Sequence, residues 1–274
     1  MATSEQAEEL HVVLDTEAGV AWIRFNRPDK LSPISTTARR QLDAALKQAE
    51  RDEAVRCVVL IGTGRAFSAG ADVREMAGGA AAEGEMRSPE DVGRVLREEY
   101  GGMLQRIRTM PKPVICGLNG LAAGIGASFA MACDIRIAAE DAYISEAFVN
   151  IGLGPDGGVS WMLPRFVGRG RALEMFFTGD RLSAQDAERF GLVNRVVPKE
   201  SVESECRALA LRLVAGSTGA MAGAKRAVNF ADGSTFDEAV EFESYIQEGR
   251  AASPDFAEGV AAFLAKRKPD FNRG

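Results

Sequence analysis

The chain has 274 residues, 46% hydrophobic and 26% charged, the balance of a soluble globular protein with room for one large domain or two small ones. A net charge of −6 offers nothing to nucleic acid or an anionic membrane surface, so an anionic ligand must be held by local basic groups or backbone N–H groups. With a single histidine, His11, a His-rich metal site is excluded and any Ser–His or Cys–His apparatus has one imidazole to draw on. The chemistry is therefore expected from carboxylates and backbone groups, with no metal.

The opening "MATSEQAEELH" is polar and acidic, unlike a signal or transit peptide. No apolar run reaches the roughly 18 residues of a membrane span. Cys57, Cys116, Cys133 and Cys206 show no CxxC spacing and read as buried, reduced thiols of a cytoplasmic protein.

In chain order, "LHVVLD" and "VAWIRFNRP" flank "TEAGV" and predict a hairpin. Residues 36–50 set Ala38, Leu42, Ala45, Leu46 and Ala49 at helical spacing. "RCVVLIG" (56–62) is a short apolar strand running into "TGRAFSAGADV". Residues 77–90 are small, Gly-rich and acidic, the composition of a mobile surface loop, and a helix is expected over about 91–109. The pattern then recurs: "PVICGLNG" (113–120) leads into "LAAGIGASFAMACD", followed by the strand-like "IRIAAEDAYIS". The next stretch, "IGLGPDGGVS" (151–160), sets Asp156 between a proline and two glycines. Asp156 is either a turn residue bonding nearby N–H groups or a chemical reagent.

Beyond residue 168 the pattern is mainly helical. Ser183 and Asp186 make a capping arrangement before a helix ending at Gly191. Helical periodicity covers 201–215, 217–230, 236–251 and 254–266, the last opened by the N-cap Ser253 and an N1 proline. The organisation is α/β: a βα-rich part over 1–195 and a helical region over 196–274, with no low-complexity linker between them and so one domain unit.

Strands that end in glycines suggest anion binding by backbone N–H groups. "GTGRAFSAGADV" and "GLNGLAAGIGASF" have that form, but neither is a Walker loop or a G-x-G-x-x-G fingerprint. Two such loops suggest two backbone donors converging on one oxygen, an oxyanion hole; the alternative is that the glycines serve close packing.

"RAFSAGADVREM" (65–76), "LNGLAAGIGASFAMACDIRIAAEDAYIS" (118–145), "GLGPDGGVSWMLPRFVG" (152–168), "LSAQDAERFGLVNRVV" (182–197) and "EGVAAFLAKRKPDF" (258–271) together resemble the crotonase, or enoyl-CoA hydratase/isomerase, superfamily. In wording the chain is most similar to the ring-1,2-epoxyphenylacetyl-CoA isomerase type. The resemblance implies a spiral of repeated ββα units followed by C-terminal helices that build a homotrimer or a dimer of trimers. It implies an acyl-CoA substrate, so that coenzyme A arrives with the substrate and no separate cofactor is needed. The implied enolate-stabilising donors are the N–H groups of Ala71 and Ile125, the latter standing where the family usually has glycine and so narrowing the pocket. Ala66, Ser68, Ala69, Asp72, Val73 and Arg74 are implied to lie along the substrate channel. Asp72 also suits a helix cap, and Asp134 a structural role. For the coenzyme A phosphates the candidates are Lys30, Arg27, Arg74, Lys266 and Arg267; "SPI" (32–34) replaces the family's usual "NAL".

Enoyl-CoA hydratases of the family hold water between two glutamates, whose positions fall here on Ser128 and Phe148. Asp156 instead matches the position where the isomerase-type relatives keep a working aspartate. The expected reaction is the shift of a double bond in an enoyl-CoA, with Asp156 moving a proton and desolvation raising its pKa towards neutrality. The alternatives are a hydratase with atypical residues and a catalytically idle acyl-CoA-binding homologue. Glu146, two residues before Phe148, would share its face on an extended strand and could serve as a displaced partner; a solvated or ion-paired surface role is the preferred expectation for it.

Overall fold

The computed structural model describes residues 9–76 and 88–271. Strands β1 (Val12–Glu17) and β2 (Val20–Phe25) form the expected hairpin. Its two-residue turn puts Ala18 and Gly19 at φ 50° and 77°, the left-handed pair that matches strand twist. Helix α1 (Thr36–Arg51) follows, its apolar stripe buried and its N-cap Ser35 accepting from the Ala38 N–H.

Three repeats then step between two sheets. β3 (Cys57–Gly62) leads to β4 (Ala66–Ser68) and the short helix α2 (Val73–Met76). After α3 (Pro89–Arg94), a π-helical turn over Val95–Tyr100 and α4 (Gly101–Thr109), β5 (Val114–Leu118) leads to β6 (Leu121–Ala123) and α5 (Ile125–Ala132). The third repeat is β7 (Ile135–Ala139), β8 (Tyr143–Ser145), a 3-10 turn over Ala147–Ile151 and α6 (Val159–Val167). α7 (Arg169–Thr178), β9 (Arg181–Ser183), α8 (Ala184–Arg189) and β10 (Arg195–Val197) complete the sheets. Helices α9 (Val202–Val214), α10 (Thr218–Ala231), α11 (Phe236–Ala251) and α12 (Pro254–Leu264) end the chain.

The first sheet runs β1-β2-β3-β5-β7-β10 and is parallel except for β1; the second runs β4-β6-β8-β9 and is parallel except for β9. β3 and β5 are buried along their whole length, which explains their unbroken apolar runs: a parallel strand covered on both faces has no polar side to alternate with. α9 packs against this sheet, and the expected boundary at residue 195 falls inside β10. Phe25 of β2 stacks edge-on against Phe67 of β4 at 5.1 Å, and Phe129 of α5 lies within 6.4 Å of Phe25 and 6.2 Å of Tyr100. This aromatic cluster ties the two sheets to the helices.

Most of the 77–90 stretch lies outside the described residues. Its last residues open α3 with a capping box between Ser88 and Asp91, two residues before the expected start. Ser183 and Ser253 cap their helices as their sequence context suggests, and all four cysteines are buried free thiols. Among the described residues no helix is long and apolar enough to cross a membrane.

Candidate active site

The two glycine-rich bends sit side by side because β4 and β6, which lead into them, are paired in parallel. A Cβ on Gly70 (φ +90°) would lie 2.8 Å from the Ala123 carbonyl oxygen, and one on Gly126 2.8 Å from the Ser68 Cβ. Only glycine permits so close an approach of the backbones. Ala71 directly follows the Gly70 contact, and Ile125 lies between the Ala123 and Gly126 contacts, so both residues belong to the paired bends.

Both amides are left without acceptors. Ile34 pairs with Ala71 as an isolated bridge: its N–H donates to the Gly70 carbonyl at 2.8 Å, and its carbonyl accepts from the Asp72 N–H at 3.3 Å. The Ala71 N–H therefore points away from Ile34, by the alternation of an extended chain. Ile125 is the first residue of α5, where an N–H has no intrahelical partner. Among the described residues neither amide donates a hydrogen bond.

Asp156 approaches from the turn before α6, where Gly157 and Gly158 adopt φ 59° and 74°. A Cβ on Gly157 would lie 2.4 Å from the Ile125 Cδ1 and 2.6 Å from the Ser128 Oγ, so this turn rests on the first turns of α5. The Asp156 main-chain carbonyl accepts from the Val159 N–H at 3.1 Å and the Ser128 Oγ at 3.4 Å. Its side chain bonds no turn N–H, and Oδ1 is buried without a partner, so the carboxylate is not spent on holding the turn. Burial raises its pKa to about 6: the charged form is desolvated, with no compensating cation among the described residues. The Phe148 ring covers Gly124, with its Cζ 3.6 Å from a Cβ built there.

Several expectations need correction. Glu146 is neither solvated nor ion-paired: it is 0% exposed, both carboxyl oxygens are buried without partners among the described residues, and the charge of Asp156 reaches it. Desolvation first, then that charge, pushes its pKa well above the usual carboxylate range. The residues after it form a 3-10 turn rather than a strand, so the shared-face argument with Phe148 does not hold.

Ser68 and Ala66 present no side chain to a channel. Ser68 is buried, donating to the Ser32 carbonyl at 2.9 Å and accepting from the Gly70 N–H at 3.2 Å, and so shapes the bend. Ala66 is buried beneath Gly120. Ser128 is likewise buried, under Gly157. Ile125 does not wall an open pocket; its side chain is buried against Gly157.

The proposed phosphate ligands also separate. Arg27 pairs with Asp72 at 3.3 Å, and Asp72 also accepts from the Arg74 N–H at the start of α2, so these two groups brace the bend. Arg267 is taken by Glu258. Lys30 is exposed after β2, Arg74 and Val73 are exposed on α2, Ala69 is half-buried, and Lys266 is exposed at the end of α12. Asp134 is structural: it accepts from the Val114 N–H at 2.7 Å and from the Lys225 Nζ at 2.8 Å.

Three supports were not foreseen. Asn119 donates to the Gly64 and Ala66 carbonyls and accepts from the Gly62 N–H, stapling the β3–β4 reversal. Leu31 and Ser32 stand consecutively at φ 63° and 48°, a costly conformation for non-glycine residues. They are held there by the Ser32 Oγ bonds and by the Ala69 N–H donating to the Leu31 carbonyl, and they aim Ile34 at Ala71. Tyr100 is buried near Asp156, and Arg39 lies over its ring.

The enoyl-CoA hydratase/isomerase family model matches residues 15–274. The 1,2-epoxyphenylacetyl-CoA isomerase of Escherichia coli K12 is 38% identical, over 95% of this chain and 97% of its own. A short-chain-enoyl-CoA hydratase of Clostridium acetobutylicum is 33% identical over 94% and 96%. The crystal structure of an enoyl-CoA hydratase from Mycobacterium smegmatis superposes with a TM-score of 0.88 at 32% identity, covering 96% of this chain and 100% of that one. With two bends presenting unpaired amides and a fold shared end to end with these enzymes, the chain belongs to the enoyl-CoA hydratase/isomerase family and has the crotonase fold.

Proposed function

We propose that this enzyme shifts a double bond along the acyl chain of an enoyl-CoA thioester. The thioester carbonyl oxygen accepts from the N–H groups of Ala71 and Ile125, so that negative charge forming on it is stabilised. That acidifies the neighbouring C–H. Asp156 takes a proton from one carbon, the electron pair passes into the enolate, and the same carboxyl returns the proton to another carbon. A 1,3-transfer needs one base, and a carboxyl titrating at about 6 is ionised at neutral pH yet basic enough to accept a proton. The observation that carries the reading is the Asp156 carboxylate: desolvated, bonded to nothing in its own turn, and packed beside the bend that carries Ile125.

A second reading, addition of water across the double bond, is favoured by one feature, a second buried carboxyl, that of Glu146, which feels the charge of Asp156, since hydration uses an acid and a base. Incubating the protein with 2-enoyl-, 3-enoyl- and ring-bearing CoA esters in heavy water separates the two by NMR. A relocated double bond with deuterium at the reacting carbons supports isomerisation, and a 3-hydroxyacyl product supports hydration. No deuterium uptake at all marks an idle acyl-CoA-binding homologue.

The exposed apolar residues of the C-terminal helices support self-association. Phe236, Phe263 and Leu264 are 81%, 82% and 76% exposed, a surface that a monomer rarely leaves open. A homotrimer, alone or paired, covers it. Four buried thiols fit a reducing compartment, the cytoplasm.

A further inference from the structure

Ser68, the last residue of β4, is fully buried and out of a substrate's reach, yet its side chain meets both bends. Its Oγ donates to the Ser32 carbonyl at 2.9 Å and accepts from the Gly70 N–H at 3.2 Å. A carbonyl only accepts and an amide N–H only donates, so the hydroxyl gives its one proton to Ser32 and turns a lone pair to Gly70. On the other bend, a Cβ on Gly126 would lie 2.8 Å from the Ser68 Cβ and 2.9 Å from its Oγ. The first turn of α5 therefore rests directly on this serine.

These contacts hold the peptides that carry the two donors. The Ile34 N–H donates to the Gly70 carbonyl at 2.8 Å. In a planar trans peptide the carbonyl and the following N–H point in opposite directions, so this bond turns the Ala71 N–H away from Ile34. Gly70, at φ +90°, is gripped on both sides, its N–H by Ser68 and its carbonyl by Ile34. The grip closes on itself, because the Ser68 hydroxyl also ties down Ser32, two residues before Ile34. In α5 the Gly124 carbonyl accepts from the Ser128 N–H at 3.1 Å. By the same planarity the Ile125 N–H points out of the N-terminal end of the helix. The next residue is Gly126, seated on Ser68.

We propose, resting on the reading of Ala71 and Ile125 as the donors to the thioester oxygen, that Ser68 is a positioning residue acting through both amides. Its hydroxyl orients the peptide carrying the Ala71 N–H, and its Cβ seats the turn carrying the Ile125 N–H. One buried side chain thereby aligns two donors that come from different repeats. Alanine keeps the seat and loses the hydroxyl. Cysteine keeps the seat with a thiol that donates and accepts only weakly.

The test binds hexanoyl-CoA, isotope-labelled at the thioester carbonyl and without a double bond to move, to the parent, Ser68→Ala and Ser68→Cys. Isotope-edited infrared spectroscopy then reads the carbonyl stretch, with folding checked by circular dichroism. Aligned donors polarise the carbonyl and lower its frequency. The parent should show the band well below its position in water, Ser68→Ala should return most of the way, and Ser68→Cys should fall between. With a 3-enoyl-CoA, kcat of Ser68→Ala should fall about tenfold to a hundredfold with KM within about threefold, less than the loss of a whole donor. A folded Ser68→Ala that keeps the parent's band overturns the proposal whatever its kcat, because a merely structural role leaves the carbonyl unmoved. Should Ser68→Ala not fold, Ser68→Cys decides: a band moved toward its position in water supports the proposal, and the parent's band overturns it. A bound thioester whose carbonyl is undisplaced in the parent itself removes the two amides as donors, and the positioning role with them.

Discussion

Asp156 gains its chemistry from what does not surround it. Among the described residues no arginine, lysine or backbone N–H reaches its side chain, and burial is what raises its affinity for a proton. If it is the base, kcat/KM should fall about tenfold per pH unit below about 6; a profile flat down to pH 5 would remove it from the reaction. The same shift has a stability consequence of definite sign. The folded pKa of about 6 lies above the ordinary 3.8, so between those values the folded state holds more protons than the unfolded one, and stability falls as pH rises through that window. At pH 7 the folded protein therefore carries the full cost of ionising Asp156. Asp156→Asn should raise the unfolding free energy there by roughly 1–2 kcal/mol, less than the full shift implies because the group is only partly buried, and the gain should vanish near pH 4. Thermal melts at the two pH values check this, and equal stabilisation at both would contradict it. Asp156 was legible in the sequence because a carboxylate between proline and glycines stands out. Glu146 was misjudged because the chain does not continue as a strand: the reversal into the 3-10 turn over Ala147–Ile151 is set by tertiary packing that a local pattern does not record.

At the level of elements, the site depends on two bends held in contact. β4 pairs with β6, Gly70 lies against Ala123, and Gly126 against Ser68. A side chain at residue 70 would have to push the two bends apart, so Gly70→Val should leave the protein folded but lower kcat by about 10²–10³, the usual effect of losing an oxyanion donor. A kcat within about threefold of the parent would show that the two amides do not act together. The strands were readable from their unbroken apolar runs and the helices from their spacing and caps, since each signal is local. The divided role of the glycines was not. Gly62, Gly64 and Gly120 serve close packing around the Asn119 staple, while Gly70 and Gly124 shape the bends. Which glycine does which depends on the partner backbone, and that partner comes from another repeat.

At the scale of the molecule, the ten strands among the described residues and their helices enclose one aromatic and aliphatic core, while α10, α11 and α12 extend an apolar surface outward. If the proposed homotrimer uses this surface, charges introduced at Phe236 and Phe263 should convert it to monomers without unfolding the sheets; an unchanged sedimentation coefficient would contradict that use of the surface. The basic residues offered for the substrate's phosphates illustrate what a single chain leaves illegible. Arg27 and Arg267 are committed to internal ion pairs, and a sequence shows positive charge without showing its partner. The central claim remains that two main-chain amides hold a thioester oxygen while Asp156 relocates a hydrogen. Its most direct test follows a 3-enoyl-CoA by NMR in heavy water with the parent and with Asp156→Asn. The account predicts a migrated double bond with the parent, and with the variant no product despite thioester binding within a fewfold of the parent's. Turnover by Asp156→Asn within about tenfold of the parent would contradict it.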